Sequence, residues 1–344
     1  MSKTNRSMKK PKVSIIVPVY NPGKYFKKCL DTLVQQTLKD IEIILVLDCP
    51  TDGSEKIAEQ FFAQDDRIRL VYNEQNLHTG LSRNAGLEIA TGEYVGFCDS
   101  DDYCDVEKYD KLYSKAITEN YDMVCCHFYI QKDNLISKVI MPKEPDSKED
   151  LKFFLIENFL KRNVGFGTNC RWIYRAEMIK QNALKFEDSK ATSGEDGLFT
   201  LESTLISNNI GFISDFLFYY NIHSQSISHS KFSASNHLST KSNIAFCKKI
   251  FSLLNLYNVE EKYYSALLEG IPKFLYSGFY NGFRDSFKTG LKGFCLISKN
   301  KTFAKLFSNL FNRKNIPILF QLKSTVILFV IIVRMSHFFH FDNN

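Results

Sequence analysis

Over residues 13–129, short apolar runs alternate with amphipathic segments, and this alternation limits the folds open to the chain. Five runs rich in apolar and β-branched residues predict strands at 13–20, 41–47, 67–72, 93–98 and 122–129. Apolar residues at helical spacing predict helices at 25–37, 54–62, 79–90 and 105–119. Strands that alternate with helices form βαβ units. The sequence therefore predicts an α/β fold with a mostly parallel sheet flanked by helices.

The rest of the chain is less regular. Residues 151–225 mix helical and strand patterns, with a strand predicted at 210–220, and the chain from 226 onward reads as helical. Nine cysteines are scattered without any CxxC pair, which favours free thiols in a reducing cytosol over a zinc site. The basic N-terminus is not followed by a long apolar run, so a secretory signal is not expected.

Three predicted strands end in polar or conformationally restricted residues, at 18–21, 48–52 and 97–104. Ligands of parallel α/β sheets bind outside these strand ends. Neither GxGxxG nor GxxxxGK[ST] follows the first strand, where the sequence is NPGKYFKK. The sequence therefore predicts a ligand site without a glycine-rich phosphate cradle.

The third of these ends, FCDSDDYC, carries an acidic cluster. On an extended segment, Asp99 and Asp101 would point the same way and could share a Mg²⁺ or Mn²⁺ ion with substrate phosphates. The ion would remove the repulsion between the carboxylates and neutralise a diphosphate leaving group. Alternatively, Asp101, Asp102 or Asp105 caps the helix that follows. The spacing alone supports metal binding and helix capping equally, and the predicted strand directly before the cluster favours metal binding.

Four segments in this order, VSIIVPVYN, LDCPTDGS, GLSRNAGLEIATGEYVGF and CDSDD, resemble the inverting family 2 glycosyltransferases with the GT-A fold. The resemblance implies a Rossmann-like nucleotide-diphospho-sugar transferase domain at 10–225. A helical appendage would follow at 226–344. One departure is Cys49-Pro50, which replaces part of the family's VDDGS.

On the donor side, the resemblance implies that Pro18 and Tyr20 line the pocket for the nucleotide base. Asp48 would accept a hydrogen bond from the base, which favours uracil. Arg83 lies at the position of the family's donor-binding arginine. The implied donor is a UDP-sugar.

For the cation, Mn²⁺ or Mg²⁺, the resemblance implies Asp101 as the principal ligand and Asp99 as a contact to the donor sugar or ribose. Asp102 would have a supporting role. The segment YYNIHSQSIS resembles the family's YRxHxxS element, which makes His223 a candidate metal or diphosphate contact. A lone loop histidine is more often structural or solvated, and His78 and His229 are weaker candidates.

The segment SGEDGLF, at 193–199, resembles the family's ED motif. An inverting transfer needs one general base for the acceptor hydroxyl, and Asp196 is the first candidate, with Glu195 the second. The alternative is a helix start at which acidic residues are favoured by the helix dipole. Trp172 lies in a segment that resembles the acceptor side, although an isolated tryptophan more often packs in the core.

Residues 284–334 contain ten basic residues and one acidic residue, interleaved with apolar ones. The longest apolar run, 326–333, is shorter than the roughly 20 residues that cross a bilayer. The pattern predicts an amphipathic segment lying on an anionic membrane surface. Nucleic-acid binding is not expected, because the segment is strongly apolar and no nucleic-acid-binding motif is present. A helical cap with a solvated basic face is the alternative.

Together these features predict an inverting glycosyltransferase that moves a sugar from a UDP-sugar to a glycan acceptor in surface polysaccharide synthesis, and the expected acceptor is lipid-linked. The expected location is cytoplasmic, on the inner face of the cell membrane. The alternative is a non-catalytic GT-A-fold subunit of a polysaccharide-assembly complex. A sugar-1-phosphate nucleotidyltransferase would need a glycine-rich, basic loop after the first strand, which NPGKYFKK does not supply.

Overall fold

One mixed sheet organises the computed structural model, which describes residues 10–133, 135–139, 148–161, 166–192, 194–223, 236–259, 262–263 and 266–267. Its strands are β1 (Val13–Val19), β2 (Ile41–Leu47), β3 (Ile68–Tyr72), β4 (Tyr94–Phe97), β5 (Tyr103–Cys104), β6 (Met123–Lys132), β7 (Leu135–Val139), β8 (Trp172–Arg175) and β9 (Ile210–Ile222). The helices are α1 (Phe26–Val34), α2 (Ser54–Gln64), α3 (His78–Ile89), α4 (Lys108–Thr118), α5 (Lys148–Leu160), α6 (Ala176–Gln181), α7 (Glu195–Ile206) and α8 (Asn236–Leu256). Short 3₁₀ turns lie at Gly23–Tyr25 and Asn169–Arg171.

The strand order is β3-β2-β1-β4-β8-β6-β9-β5, with β7 also paired to β6. Strands β1 to β4 are parallel to their neighbours within this group, as predicted. β1 and β2 are buried at every position. Continuous apolar runs such as theirs are typical of central parallel strands that are covered on both faces.

The second half of the sheet differs from the prediction of simple βαβ units. β8 lies between β4 and β6 and is antiparallel to both. The chain therefore completes the centre of the sheet about 40 residues after β6 has ended, since β6 ends at Lys132 and β8 begins at Trp172. Local periodicity predicts strands but does not specify a later strand that inserts between two earlier ones.

Gly92 lies between the end of α3 and the start of β4. α3 ends at Ile89, and Ala90 is already extended. A Cβ atom on Gly92 would lie 2.5 Å from the backbone nitrogen of Ser14. Gly92 therefore permits close approach of two backbone segments.

α8 agrees with the helical composition after residue 226. The predicted domain boundary at 225/226, the basic segment 284–334 and His229 lie outside the described residues. Among the helices that are described, none is long and apolar enough to cross a membrane.

Candidate active site

Several hydrogen bonds join the loops after β1 and β2. The Thr51 backbone N–H donates to Asn21 Oδ1 at 2.7 Å, and the Gly23 backbone N–H donates to Asp52 Oδ2 at 2.7 Å. Cys49, in the segment that departs from the family pattern, has a φ of 56°. This left-handed conformation costs a non-glycine residue about 1–2 kcal/mol, and the hydrogen bonds beside it help to hold the loop.

The two residues predicted to line a base pocket lie at the carboxyl end of β1. Pro18 is buried, and it lies beyond the ladder with β4, which ends at Ile16. A proline without an N–H is therefore tolerated there. Tyr20 is 49% exposed. Its ring is available to a ligand at the strand end.

Asp48 is 2% exposed and accepts three hydrogen bonds. The donors are Asn73 Nδ2 at 2.8 Å, the Leu77 backbone N–H at 2.7 Å and the His78 backbone N–H at 2.9 Å. The carboxylate thus holds the start of α3. Because a carboxylate has about four acceptor positions, Asp48 has room for one further donor.

The acidic segment is a turn, and the expected extended conformation is wrong. The Asp102 backbone N–H donates to the Asp99 carbonyl oxygen at 3.0 Å, which closes the turn over residues 99–102. The carboxylates of Asp99 and Asp101 consequently have different partners. Capping by Asp101 or Asp102 is also wrong, because α4 begins only at Lys108. Asp105 lies just before that helix, and its Oδ1 accepts from the backbone N–H of Glu107, the N-cap residue, at 2.9 Å.

Asp101 and His223 are 122 residues apart in the chain, yet His223 Nε2 lies 2.9 Å from Asp101 Oδ2. The His223 ring stacks on Tyr25, with ring centroids 4.2 Å apart. Burial raises the pKa of Asp101 and the charge of Asp99 raises it further, against the lowering effect of His223.

This pair fits a divalent cation. Two neighbouring ligands at about 2.1 Å from an octahedral ion lie about 3 Å apart, close to the observed separation. Carboxylate oxygen and imidazole nitrogen are both ligands for Mn²⁺. A second grouping, the ligand atoms of Asp99, Asp102 and Cys170, lies within 4.8 Å of one another. It is more enclosed, since Asp102 and Cys170 are each 1% exposed.

Arg83 connects the acidic turn to the start of α7. Its Nη2 donates to Asp99 Oδ1 at 2.6 Å, and its Nη1 lies 3.5 Å from Glu195 Oε1. The Arg83 side chain is only 3% exposed. Burial by itself lowers the pKa of Arg83, but the surrounding negative charges, led by Asp99, outweigh burial and leave the pKa raised. The guanidinium therefore stays charged and offsets both carboxylates.

Asp196 follows directly in the first turn of α7, and its Oδ1 accepts from the Gly197 backbone N–H at 2.8 Å. Burial, together with the charge of Glu195, raises the pKa of Asp196 to about 7, although Arg83 acts in the opposite direction. The helix cap is Gly194, with a φ of 70° and no capping side chain. A carboxyl group that titrates near neutral pH suits a proton acceptor better than a cap.

Trp172 does not line the site. It is 1% exposed and packs in the core beside Tyr174. The alternative, that Trp172 is a core residue, is therefore correct.

Sequence reasoning missed two residues of the site, Tyr25 and Asn221. Tyr25 stacks on His223, and Asn221 Nδ2 donates to the Asp101 carbonyl oxygen at 3.1 Å. Asn221 lies within the segment YYNIHSQSIS. Its contact with the acidic turn could be recognised only from the position of β9 beside that turn.

Comparison with known proteins places this geometry in a family. The Glycosyl transferase family 2 model matches residues 14–182. The chain is 34% identical over 218 residues to the uncharacterised glycosyltransferase EpsJ of Bacillus subtilis, covering 61% of each protein. It is 30% identical over 222 residues to an uncharacterised glycosyltransferase of Methanocaldococcus jannaschii, covering 62% of this chain and 72% of that protein.

Among solved structures, S. aureus TarS 1-349 in complex with UDP is 25% identical, with a TM-score of 0.51. The match covers 68% of this chain and 64% of that one. The chain thus spans less than two thirds of the length of TarS 1-349 and of EpsJ. The sheet, its flanking helices and the order of the motifs are those of the GT-A fold, and the chain belongs to glycosyl transferase family 2.

Proposed function

We propose that this protein is an inverting glycosyltransferase that moves a sugar from a UDP-sugar to a hydroxyl group of a glycan acceptor. The observation that carries the proposal is the position of Arg83, which contacts Asp99 on the acidic turn and Glu195 at the start of α7. This contact links the acidic turn, which is the predicted donor side, to the helix start that carries the predicted proton acceptor, and so supports a single shared site.

In this mechanism, the acceptor hydroxyl oxygen attacks C1 of the donor sugar on the face opposite the diphosphate. A bond from the acceptor oxygen to C1 forms, and the bond from C1 to the diphosphate oxygen breaks with its electron pair leaving on UDP. Asp196 takes the hydroxyl proton. Its raised pKa, about 7, makes it a stronger base than an ordinary aspartate while it remains substantially ionised at neutral pH.

On the donor side, Pro18 and Tyr20 would contact the uracil ring, and Asp48 would accept a hydrogen bond from it. Asp101 and His223 would hold Mn²⁺ or Mg²⁺. When bound, such a cation neutralises charge on the diphosphate leaving group. The UDP complex of TarS supports a uridine nucleotide as donor.

For the acceptor, we propose a lipid-linked saccharide in surface polysaccharide synthesis, met at the cytoplasmic face of the membrane. The support is the composition of residues 284–334, in which ten basic residues are interleaved with apolar ones. Such composition favours peripheral binding to anionic lipids.

A panel of nucleotide sugars, each with and without Mn²⁺, tests the proposal by thermal shift and by UDP release. A bound donor at 100 times its Kd stabilises the folded protein by about 2.7 kcal/mol. We expect one UDP-sugar to raise Tm, and UDP to be released when a lipid-linked acceptor is added. Binding without UDP release for every acceptor tried would instead favour the non-catalytic subunit, and no binding of any uridine nucleotide would contradict the assigned donor.

A further inference from the structure

One asparagine joins the end of β9 to the acidic turn. Asn221 Nδ2 donates to the Asp101 carbonyl oxygen at 3.1 Å, and the Asn221 backbone N–H donates to Asp102 Oδ1 at 2.8 Å. Asp102 and Asn221 are only 1% and 8% exposed. The bond to Asp102 is buried and the bond to Asp101 is partly buried, and together they hold the strand end against the turn.

On the β5 side, these two hydrogen bonds continue the contact beyond the end of the ladder, while on its other side β9 stays paired with β6 as far as Ile222. β9 pairs with β5 over only two residues, Tyr103–Cys104. Asp102 comes directly before these two residues in the chain. Its carboxylate accepts the hydrogen bond from the Asn221 backbone N–H, in place of the backbone carbonyl that a longer β5 would supply. The position of β9 beside the turn thus depends on two side chains, those of Asp102 and Asn221, as well as on the ladder.

His223 lies two residues after Asn221, so its position depends on the same contacts. His223 Nε2 lies 2.9 Å from Asp101 Oδ2, and Tyr25 stacks on the imidazole ring. Asn221 donates a hydrogen bond to the backbone of Asp101 and lies two residues before His223. It is therefore linked to both members of the pair. A shift of β9 along the turn would separate the imidazole from the carboxylate.

We propose that Asn221, anchored by Asp102, is a positioning residue that sets His223 against Asp101 for binding a divalent cation. The proposal builds on the cation site in the proposed function. Groups that orient metal ligands typically change metal affinity by about 10- to 100-fold when removed. Asn221 acts through Asp101 and His223 and is not itself a ligand.

The test is the affinity of the full chain for Mn²⁺ alone, measured by the loss of the free-ion electron paramagnetic resonance signal. Asn221→Ala removes one donated hydrogen bond and should weaken Mn²⁺ binding about 10-fold. Asn209→Ala is the matched control. Asn209 precedes β9 at its other end, and its Nδ2 also donates to backbone carbonyls, those of Glu119 and Asn120. We expect a similar change in Tm and unchanged Mn²⁺ affinity for this control.

A double-mutant cycle separates positioning from general destabilisation. In the His223→Ala background, Asn221→Ala should have little further effect on Mn²⁺ affinity, because the ligand that it positions is gone. If Asn221→Ala fails to fold, Asn221→Thr replaces it, since threonine favours strands and its hydroxyl is shorter than the amide.

Two results would overturn the inference in different ways. Wild-type Mn²⁺ affinity in the Asn221 variants, with weakened binding in Asp101→Ala, would remove the role of Asn221 and leave the cation site intact. Wild-type affinity in Asp101→Ala would remove the cation site itself, and the role of Asn221 with it.

Discussion

Arg83 Nη2 donates to Asp99 Oδ1 at 2.6 Å, although the two residues belong to α3 and to the turn after β4. The same guanidinium lies 3.5 Å from Glu195 Oε1. One buried cation thus offsets carboxylates from two separate motifs. This arrangement makes Arg83 the side chain whose loss should disturb both halves of the site together.

We expect Arg83→Ala to lower stability by about 1.5–3 kcal/mol for each charged hydrogen bond that is lost. Arg83→Lys should also lower kcat/KM, because a lysine is a point charge that cannot contact both carboxylates in the same way. Urea unfolding and UDP release measure the two effects. Arg175→Lys is the control, since Arg175 pairs with Asp122 away from the site. Wild-type kcat/KM in Arg83→Lys would contradict the bridging role.

Activity should increase with pH up to about 7. Asp196 accepts a proton only when it is ionised, and its pKa is raised to about 7. Below that value, kcat should fall about tenfold per pH unit, and Asp196→Asn should lower kcat by about 10²- to 10⁴-fold. Glu202→Gln, on the same helix, should keep wild-type activity. A pH profile that is flat between 5 and 8 would exclude Asp196 as the base.

The same residue links stability to pH with a definite sign. A carboxyl whose pKa rises on folding, from an ordinary 3.8 to about 7, binds its proton more tightly in the folded state. Its contribution to stability is therefore greatest at low pH and is lost as the pH rises through about 7. Asp196→Asn should become more stable than wild type as pH rises from 5 to 7, with the difference levelling above that. Parallel thermal melts at pH 5, 6, 7 and 8 measure it, and a difference in Tm that stays constant over this range would contradict the raised pKa.

Removal of divalent cations should abolish transfer, and Mn²⁺ should restore it. Asp101→Ala should abolish transfer while the circular dichroism spectrum stays that of the wild type. Asp105→Ala provides the control from the same acidic cluster, because Asp105 contacts the start of α4. Full transfer by Asp101→Ala, or full activity after chelation, would count against the cation site.

Gly80→Ala should be destabilising although alanine favours helices. A Cβ atom there would lie 2.2 Å from the Glu187 carbonyl oxygen and 3.2 Å from Glu195 Cγ. Overpacking of this kind costs about 1–3 kcal/mol, and the forced shift should also weaken the contact of Arg83 with Glu195. Gly167→Ala is the control, since its Cβ would meet only ordinary contacts at 3.7 Å. Equal stability of the two variants, measured by urea unfolding, would show that α3 moves away without cost.

Much of the first half of the fold could be predicted from the sequence, because β1 to β4 and their helices are specified by local periodicity. The family resemblance implied Asp101 as a metal ligand and His223 as a metal or diphosphate contact, and the fold brings the two side chains to 2.9 Å from each other. The turn at 99–102 could not be predicted, since its hydrogen bond depends on a conformation that several residue patterns allow. The contact of Asn221 with the turn depends on the position of β9, which is set by strands far away in the chain.

The insertion of β8 has a consequence for biosynthesis. Until residues 172–175 have left the ribosome, both β4 and β6 lack their neighbour in the sheet. The emerging chain therefore carries two apolar strands with unpaired edges, which are prone to association with other chains. The motif-bearing first half should accordingly not fold as an independent piece, and a fragment that ends after β6 is expected to aggregate or to need a chaperone.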